Sequence, residues 1–238
     1  MNPTAPMIGF DRFIHREWIA TALKIRAGEA GLDALQALLD QAALGAAARK
    51  KTRTVLNRLW LSPRTELVSF ADRAVEISRR GTPAIEAVLS WGMAIATYPF
   101  FGKVAEIIGR LSALQGDCAS AEVHRRMAEQ YGEREGTKRM TNMVMQTQAS
   151  WGAILRADNG KRIIRQSPTM IVDDELTAWL IEAAVRYSDR TLSMTALQSF
   201  PVLYPFRLER SLAFVASTSP HLEIREEGSA SQVVSIRS

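Results

Sequence analysis

The chain has 238 residues, with 30 lysines and arginines against 25 aspartates and glutamates, three histidines and one cysteine. One cysteine excludes an internal disulfide framework and any site with several thiolates, and three scattered histidines leave little for a zinc site. We therefore expect no metal and no cofactor. The N-terminal sequence has neither the basic nor the apolar region of a secretory signal, so a cytoplasmic protein is expected.

One uncharged stretch, residues 87–102, resembles a membrane span. It has 16 residues, whereas a spanning helix needs roughly 20 apolar ones, and Pro99 interrupts it. We therefore expect a buried core helix that runs into a turn, and no membrane partner.

The first half of the chain has apolar residues at helical spacing, with glycine and proline between the segments. Few strand signals occur before residue 115. The predicted helices are 12–27, 32–48, 52–61, 66–79, 83–96 and 100–114.

The pattern changes after Gly116. Ser120 is predicted to cap a helix that runs to residue 131, and Thr137 a second helix that runs to about residue 150. Asn159 and Gly160 stand between two β-prone segments, 154–157 and 161–165, which predicts a hairpin. Helix, short link, helix and hairpin is the order of a winged helix-turn-helix, with helix 100–114 in front.

The last seventy residues are predicted to be a small α+β region. Three acids at 173–175 open a helix, a short helix fits 193–198, and strands fit 211–216, 221–225 and 232–236. A second winged module is an alternative interpretation of this order. The predicted fold is mainly α, with a helical N-terminal domain (1–97), a winged helix-turn-helix (98–168) and the α+β region (169–238).

The helix from residue 138 has two different faces. A helical wheel places cations and amides on one side, namely Lys138, Arg139, Asn142 and Gln146. Cations suit phosphates, and amides suit adenine in the major groove. The opposite, buried face is predicted to contain Met140, Met143, Val144, Thr147 and Trp151.

Basic residues predominate from 134 to 165, with seven of them against two acids. This distribution predicts double-stranded DNA as the partner, with α-helical contacts in the groove and the hairpin along the backbone. A solvated surface or a protein-contact surface is the alternative. The seven basic residues are Arg134, Lys138, Arg139, Arg156, Lys161, Arg162 and Arg165.

A second basic cluster contains Lys50, Lys51 and Arg53. Six basic residues and no acid occur between Asp40 and Glu66. A track of phosphate contacts is one interpretation, and a solvated start of a helix is the other.

The sequence gives little support to an enzyme. No glycine-rich phosphate loop of the usual spacings is present. The acids at 173–175 suit a helix N-terminus better than a Mg²⁺ site. We predict no catalytic residues and no small-molecule substrate.

Three short motifs resemble those of a known family. They are a basic helix (Ala-Arg-Lys-Lys-Thr-Arg, 48–53) ending in Arg58-Leu59, the segment Tyr-Pro-Phe-Phe-Gly-Lys-Val (98–104), and Trp151-Gly152 before a hairpin. Over residues 10–200 the chain resembles the small helical A component of BREX phage-exclusion systems, a family long catalogued as an inner membrane protein.

This resemblance implies a mostly helical accessory protein of anti-phage defence that binds DNA and has no catalytic activity of its own. It also implies partners among the other subunits of a defence complex, which include an ATPase, a methyltransferase and a phosphatase-like protein. The β-rich tail after about residue 208 departs from the family. An alternative function is a protein-interaction scaffold that uses its winged domain for partner contacts.

Overall fold

The computed structural model describes residues 9–81, 83–227 and 231–237. Within these ranges the chain is mainly helical and carries small sheets, as predicted. One hydrophobic cluster runs through it, from Phe10 near the N-terminus to Val234 in the last strand.

The N-terminal region consists of helices, in agreement with the apolar spacing of its sequence. A π-helical turn (Asn57–Leu61) and a 3₁₀ turn (Thr65–Leu67) connect the third helix to the fourth. The helices are α1 (Arg16–Arg26), α2 (Leu32–Gln41), α3 (Ala46–Leu56), α4 (Val68–Arg80) and α5 (Pro83–Thr97).

Helix α5 lies in the core, as the uncharged stretch that starts at residue 87 predicts, and its one acid, Glu86, lies in its first turn. Trp91 is 1% exposed, and its indole Nε1 donates a hydrogen bond to the Val202 carbonyl oxygen at 3.0 Å. The helix ends where Tyr98 adopts extended backbone angles and Pro99 starts the next helix. In the parts of the chain that the structure describes, no helix has the length and apolar character needed to cross a membrane.

The middle region alternates helices with a three-stranded antiparallel sheet in the order β1-β3-β2. The predicted hairpin is present, and a 3₁₀ turn (Asp158–Gly160) joins its strands. The elements are α6 (Pro99–Leu111), β1 (Asp117–Ala119), α7 (Ser120–Tyr131), α8 (Glu135–Ser150), β2 (Ile154–Ala157) and β3 (Arg162–Arg165).

The predicted caps of α7 and α8 are wrong. Ser120 is already helical, and its backbone N–H donates to the Lys161 carbonyl oxygen at 2.8 Å, which ties the start of α7 to the hairpin. Helix α8 begins two residues before Thr137, with Arg134 at the N-cap. Thr137 is buried, and its hydroxyl faces the carbonyl oxygen of Tyr131 at the end of α7.

The C-terminal region holds a parallel strand pair, β4-β6, and an antiparallel sheet in the order β5-β8-β7. A 3₁₀ turn (Pro201–Leu203) precedes β6. The elements are β4 (Thr169–Ile171), α9 (Asp174–Ser188), β5 (Leu192–Ser193), α10 (Met194–Gln198), β6 (Phe206–Leu208), α11 (Leu212–Thr218), β7 (Leu222–Glu227) and β8 (Ser231–Ile236).

Two predictions for this region have opposite outcomes. The acids at 173–175 do open a helix, because the Asp173 carboxylate caps α9 by accepting from the Leu176 N–H at 2.7 Å. The strand predicted at 211–216 is wrong, since these residues begin α11. Leu212, Val215 and Ala216 are buried at helical spacing there, whereas alternation would have placed them on both faces of a strand.

The same topology occurs twice. From α6 to β3 the order is helix, strand, helix, helix, strand, strand, and the third strand lies between the other two. From α9 to β8 the order is the same and the third strand is again central, with a 3₁₀ turn and β6 added before α11. We call these two parts the first unit and the second unit.

Gly92 sets the distance between α5 and α9. A Cβ atom at this position would overlap the ring of Trp179, which stacks on Phe70 at 4.3 Å and has no room to move. We expect Gly92→Ala to destabilise the fold by about 1–3 kcal/mol, the usual range for an overpacked core. Gly136→Ala is the matched control, because a Cβ there meets nothing within 4 Å.

For Gly136→Ala we expect the free energy of unfolding to rise by about 0.5–1 kcal/mol, because alanine is more stable in a helix than glycine. Urea unfolding followed by circular dichroism measures both changes. Equal stability of the two variants would show that α5 and α9 are not held this closely.

Candidate nucleic-acid interface

Only the first half of α8 is open to solvent. The N-terminal segment covers its second half, because the Ile14 N–H donates to Thr147 Oγ1 at 2.9 Å and Trp151 Nε1 donates to the Ile14 carbonyl oxygen at 3.0 Å. On another side the Tyr204 hydroxyl donates to Gln148 Oε1 at 2.9 Å. Any large ligand of α8 must therefore approach its first two turns.

The predicted faces of α8 are largely correct. Met140, Val144, Thr147 and Trp151 are buried, while Met143 is only partly buried. Of the predicted interface side chains on this helix, two are exposed and two are half-buried. The exposed pair is Lys138 and Arg139, and the half-buried pair is Asn142 and Gln146.

Lys138 and Arg139 form no ion pair with any residue that the structure describes. The acids of the preceding helix are already engaged: Glu122 binds Arg125 and Arg126, both on α7. These two arginines hold the pKa of Glu122 down at about 2. The basic side chains of α8 therefore remain available to an external anion.

The hairpin, by contrast, has most of its cations anchored. Arg162 Nε donates to Asp117 Oδ2 at 2.6 Å. Arg165 donates to the Tyr204 carbonyl oxygen at 2.8 Å and lies over the ring of that residue, 5.3 Å from its centroid. Lys161, at the turn, is exposed and has no ion pair within the described residues.

Arg156 connects the hairpin to α8. Its Nη2 donates to Asn142 Oδ1 at 2.8 Å, and burial lowers the pKa of the guanidinium. Gly160 makes room for it, because a Cβ there would lie 2.6 Å from Nη2. Asn142 therefore has its carbonyl oxygen engaged with Arg156, and its amide nitrogen is the group left for an external acceptor.

His124 on α7 was not predicted as part of this surface. Burial lowers its pKa, and the nearby charges of Lys138 and Arg156 lower it further. Its Nδ1 is buried and has no hydrogen-bond partner within the described chain. Besides burial, the lowered pKa of His124 reflects the positive potential that Lys138 and Arg156 create in this region. The sequence did not indicate this, because a single histidine has no pattern that relates it to distant cations.

This histidine predicts a pH effect on stability. The unfolded chain takes up the proton near the ordinary pKa of 6.5, whereas the folded protein takes it up only at lower pH. The free energy of unfolding should therefore fall as pH drops through 6.5. Between pH 7.5 and 5.5 we expect the wild type to lose more stability than His124→Gln in urea unfolding, and equal losses would contradict this.

Arg134 and the second basic cluster complete the predicted residues. Arg134 is exposed at the N-cap of α8, with Nε 3.4 Å from Thr137 Oγ1. In α3, Lys51 binds Asp11 at 3.2 Å, while Lys50 is exposed and has no ion pair among the described residues.

Arg53 shares a shallow groove with Lys50. Its Nη1 donates to Gln36 Oε1 at 3.2 Å. The same groove is lined by Arg49 and Asn57, so that two predicted cations of this cluster do lie side by side.

Comparison with protein-family models, curated proteins and solved structures finds no match for this chain. The resemblance to the A component of BREX systems therefore stays a prediction that rests on its three motifs.

Proposed function

We propose that this protein binds double-stranded DNA without catalysing a reaction, and that its first unit is a winged helix-turn-helix. The observation that carries the proposal is a set of cations on the open half of α8 and at the hairpin turn that form no ion pair with the residues the structure describes. They are Arg134, Lys138, Arg139 and Lys161. The order and pairing of helices and strands in this unit also support it.

In this proposal α8 is the recognition helix. Its N-terminal turns enter the major groove, as the first residues of such helices do, because its C-terminal half is covered by the N-terminal segment. Lys138 and Arg139 contact phosphates or guanine edges. The amide nitrogen of Asn142 faces a base at the limit of the open surface, whereas Gln146 lies half-buried in the covered half of α8 and is not part of the proposed contact.

The hairpin then runs along the DNA backbone as a wing. Lys161 contacts a phosphate directly. Arg162 gives up part of its contact with Asp117 and binds a phosphate in its place. Arg156 acts inside the protein, where it holds the hairpin against α8 through Asn142. The resemblance to the BREX family adds an accessory role beside larger partner proteins.

A protein-interaction scaffold is the second candidate function, and the second unit favours it. Its helix α11 occupies the topological position of α8 but has no charged residue. Residues 169–238 contain nine acids against six arginines, so this region as a whole lacks the basic excess of the first unit. Phe214 of α11 is 54% exposed, which is typical of a protein-contact surface.

Fluorescence anisotropy with a labelled 20-base-pair duplex tests the proposal, with single-stranded DNA and RNA of the same sequence alongside. Four phosphate contacts predict a salt slope of about −3.6, which is a loss of about 150-fold between 50 and 200 mM salt. If no duplex binding is seen at 50 mM salt, DNA binding is refuted and the protein-interaction scaffold remains as the candidate function. Tighter binding of RNA than of duplex would refute the choice of DNA.

A further inference from the structure

A groove of about 630 Å³ lies between the first and second units. Its walls come from the end of α6, the end of β3 and the segment from α10 to β6. Four arginines line it, and none of the described residues that line it is acidic. They are Arg110, Arg165, Arg207 and Arg210.

The floor of the groove is apolar and aromatic. Tyr204 is buried, and Phe200 and Phe206 are partly buried beside it. The floor is also rigid, because α6 touches the 3₁₀ turn so closely that a Cβ atom at Gly109 would overlap the Pro201 carbonyl oxygen. Arginines above aromatic rings are the combination that holds phosphates and unstacked bases.

The arginines can still take an external anion. Arg207 binds Glu209 at 2.7 Å, Arg210 Nη2 binds Asp174 at 3.1 Å, and Arg110 binds Glu106. The pairs of Arg207 and Arg210 are exposed and therefore weak, so a phosphate can compete for these arginines. Glu106 is buried, but Lys103 and the Tyr187 hydroxyl also bind it, so it does not depend on Arg110 alone. A guanidinium has five N–H donors, and a carboxylate on one edge leaves the others for a phosphate.

Arg165 joins this groove to the surface proposed for DNA. It lies at the end of β3, the strand that begins at Arg162 beside the hairpin turn. A DNA strand whose phosphates follow the hairpin can therefore continue into the groove. Among the residues that the structure describes, none of those lining the groove is acidic.

We propose that this groove binds unpaired nucleotides of a strand that leaves the duplex held by α8. The arginines contact the phosphates, and the bases lie on the partly buried rings of Phe200 and Phe206. Tyr204 is buried under Arg165 and holds this arginine in place. The volume is within the range of sites for nucleotide-sized ligands. This inference rests on the proposed function and adds to it a preference for duplexes with a single-stranded end.

The test compares a blunt 20-base-pair duplex with the same duplex carrying a four-nucleotide overhang at either end of one strand. We expect the better overhang to tighten wild-type binding by about tenfold or more, because each stacked base contributes about 1–3 kcal/mol. Arg110→Gln combined with Arg207→Gln should lose this gain and bind the blunt duplex as the wild type does. Arg79→Gln with Arg80→Gln, on α4, is the control with the same charge change.

The outcomes separate the two proposals. Tight binding of blunt duplex with no gain from either overhang would overturn the groove but keep the DNA-binding function, whereas no binding at all would refute that function. A gain that persists in the Arg110/Arg207 variant would also overturn the groove. Thermal stabilisation by 1 mM free dAMP without an overhang gain would assign the groove to mononucleotides and overturn the strand proposal.

Discussion

Lys138→Glu combined with Arg139→Glu should weaken duplex DNA binding by more than about 100-fold at 150 mM salt. Two phosphate contacts contribute about 30-fold at this concentration through counterion release, and the new carboxylates add repulsion. Both side chains are exposed and have no ion pair among the described residues, so the change leaves the fold intact. The effect on binding is then electrostatic and not a consequence of unfolding.

Anisotropy at four salt concentrations measures both the affinity and its slope. We expect the slope of log K against log salt to become about 1.8 less steep. Arg79→Glu with Arg80→Glu is the matched control, because it changes the net charge equally at α4, where both arginines pair with acids. Equal losses in the two double variants would mean that net charge, and not α8, determines binding.

The elements that sequence predicts well are those whose signals are local. Helix α5 followed from the uncharged stretch 87–102, which Pro99 interrupts, and the hairpin followed from Asn159-Gly160 between β-prone segments. Each depends on neighbouring residues alone. The predicted caps failed because both residues bind elsewhere in the chain: the Ser120 N–H donates to the Lys161 carbonyl oxygen of the hairpin, and the Thr137 hydroxyl donates to the Tyr131 carbonyl oxygen at the end of α7.

Other features depend on contacts between distant parts of the chain. Strand β1 has three residues and exists because it pairs with β3, more than forty residues later. Helix α11 has seven residues, too few for a helical period to be told from alternation. The repeat of one topology in two units was visible in the sequence only as the recurring order of helix, short helix and hairpin, since the two units place different side chains on these elements.

The candidate site also combines features that local sequence predicts with features that depend on distant contacts. Composition and helical spacing were enough to place Lys138 and Arg139 on the exposed face of α8. They could not tell which basic residues already have protein partners, because those partners are remote in sequence. Asp117 binds Arg162 across the sheet, and Asp11 binds Lys51 across forty residues.

The covered half of α8 gives the largest expected change in stability. Trp151 is 5% exposed, packs on Phe101 with ring centroids 5.5 Å apart, and donates its indole hydrogen bond to Ile14. Trp151→Ala removes the ring and leaves a cavity between α8, α6 and the N-terminal segment. We expect it to lower the free energy of unfolding by about 3–5 kcal/mol in urea unfolding.

Trp151→Phe separates packing from hydrogen bonding. Phenylalanine keeps an aromatic ring against Phe101 but leaves the Ile14 carbonyl oxygen without its donor, which should cost about 1–3 kcal/mol. Trp151→Ala should also speed amide exchange at Ile14, whose N–H is held by Thr147 at the end of α8. If exchange at Ile14 stayed unchanged while stability fell, the N-terminal segment would be held without Trp151. The hydrogen bonds to Thr147 and Ser150 would then be what keeps this segment over the second half of α8.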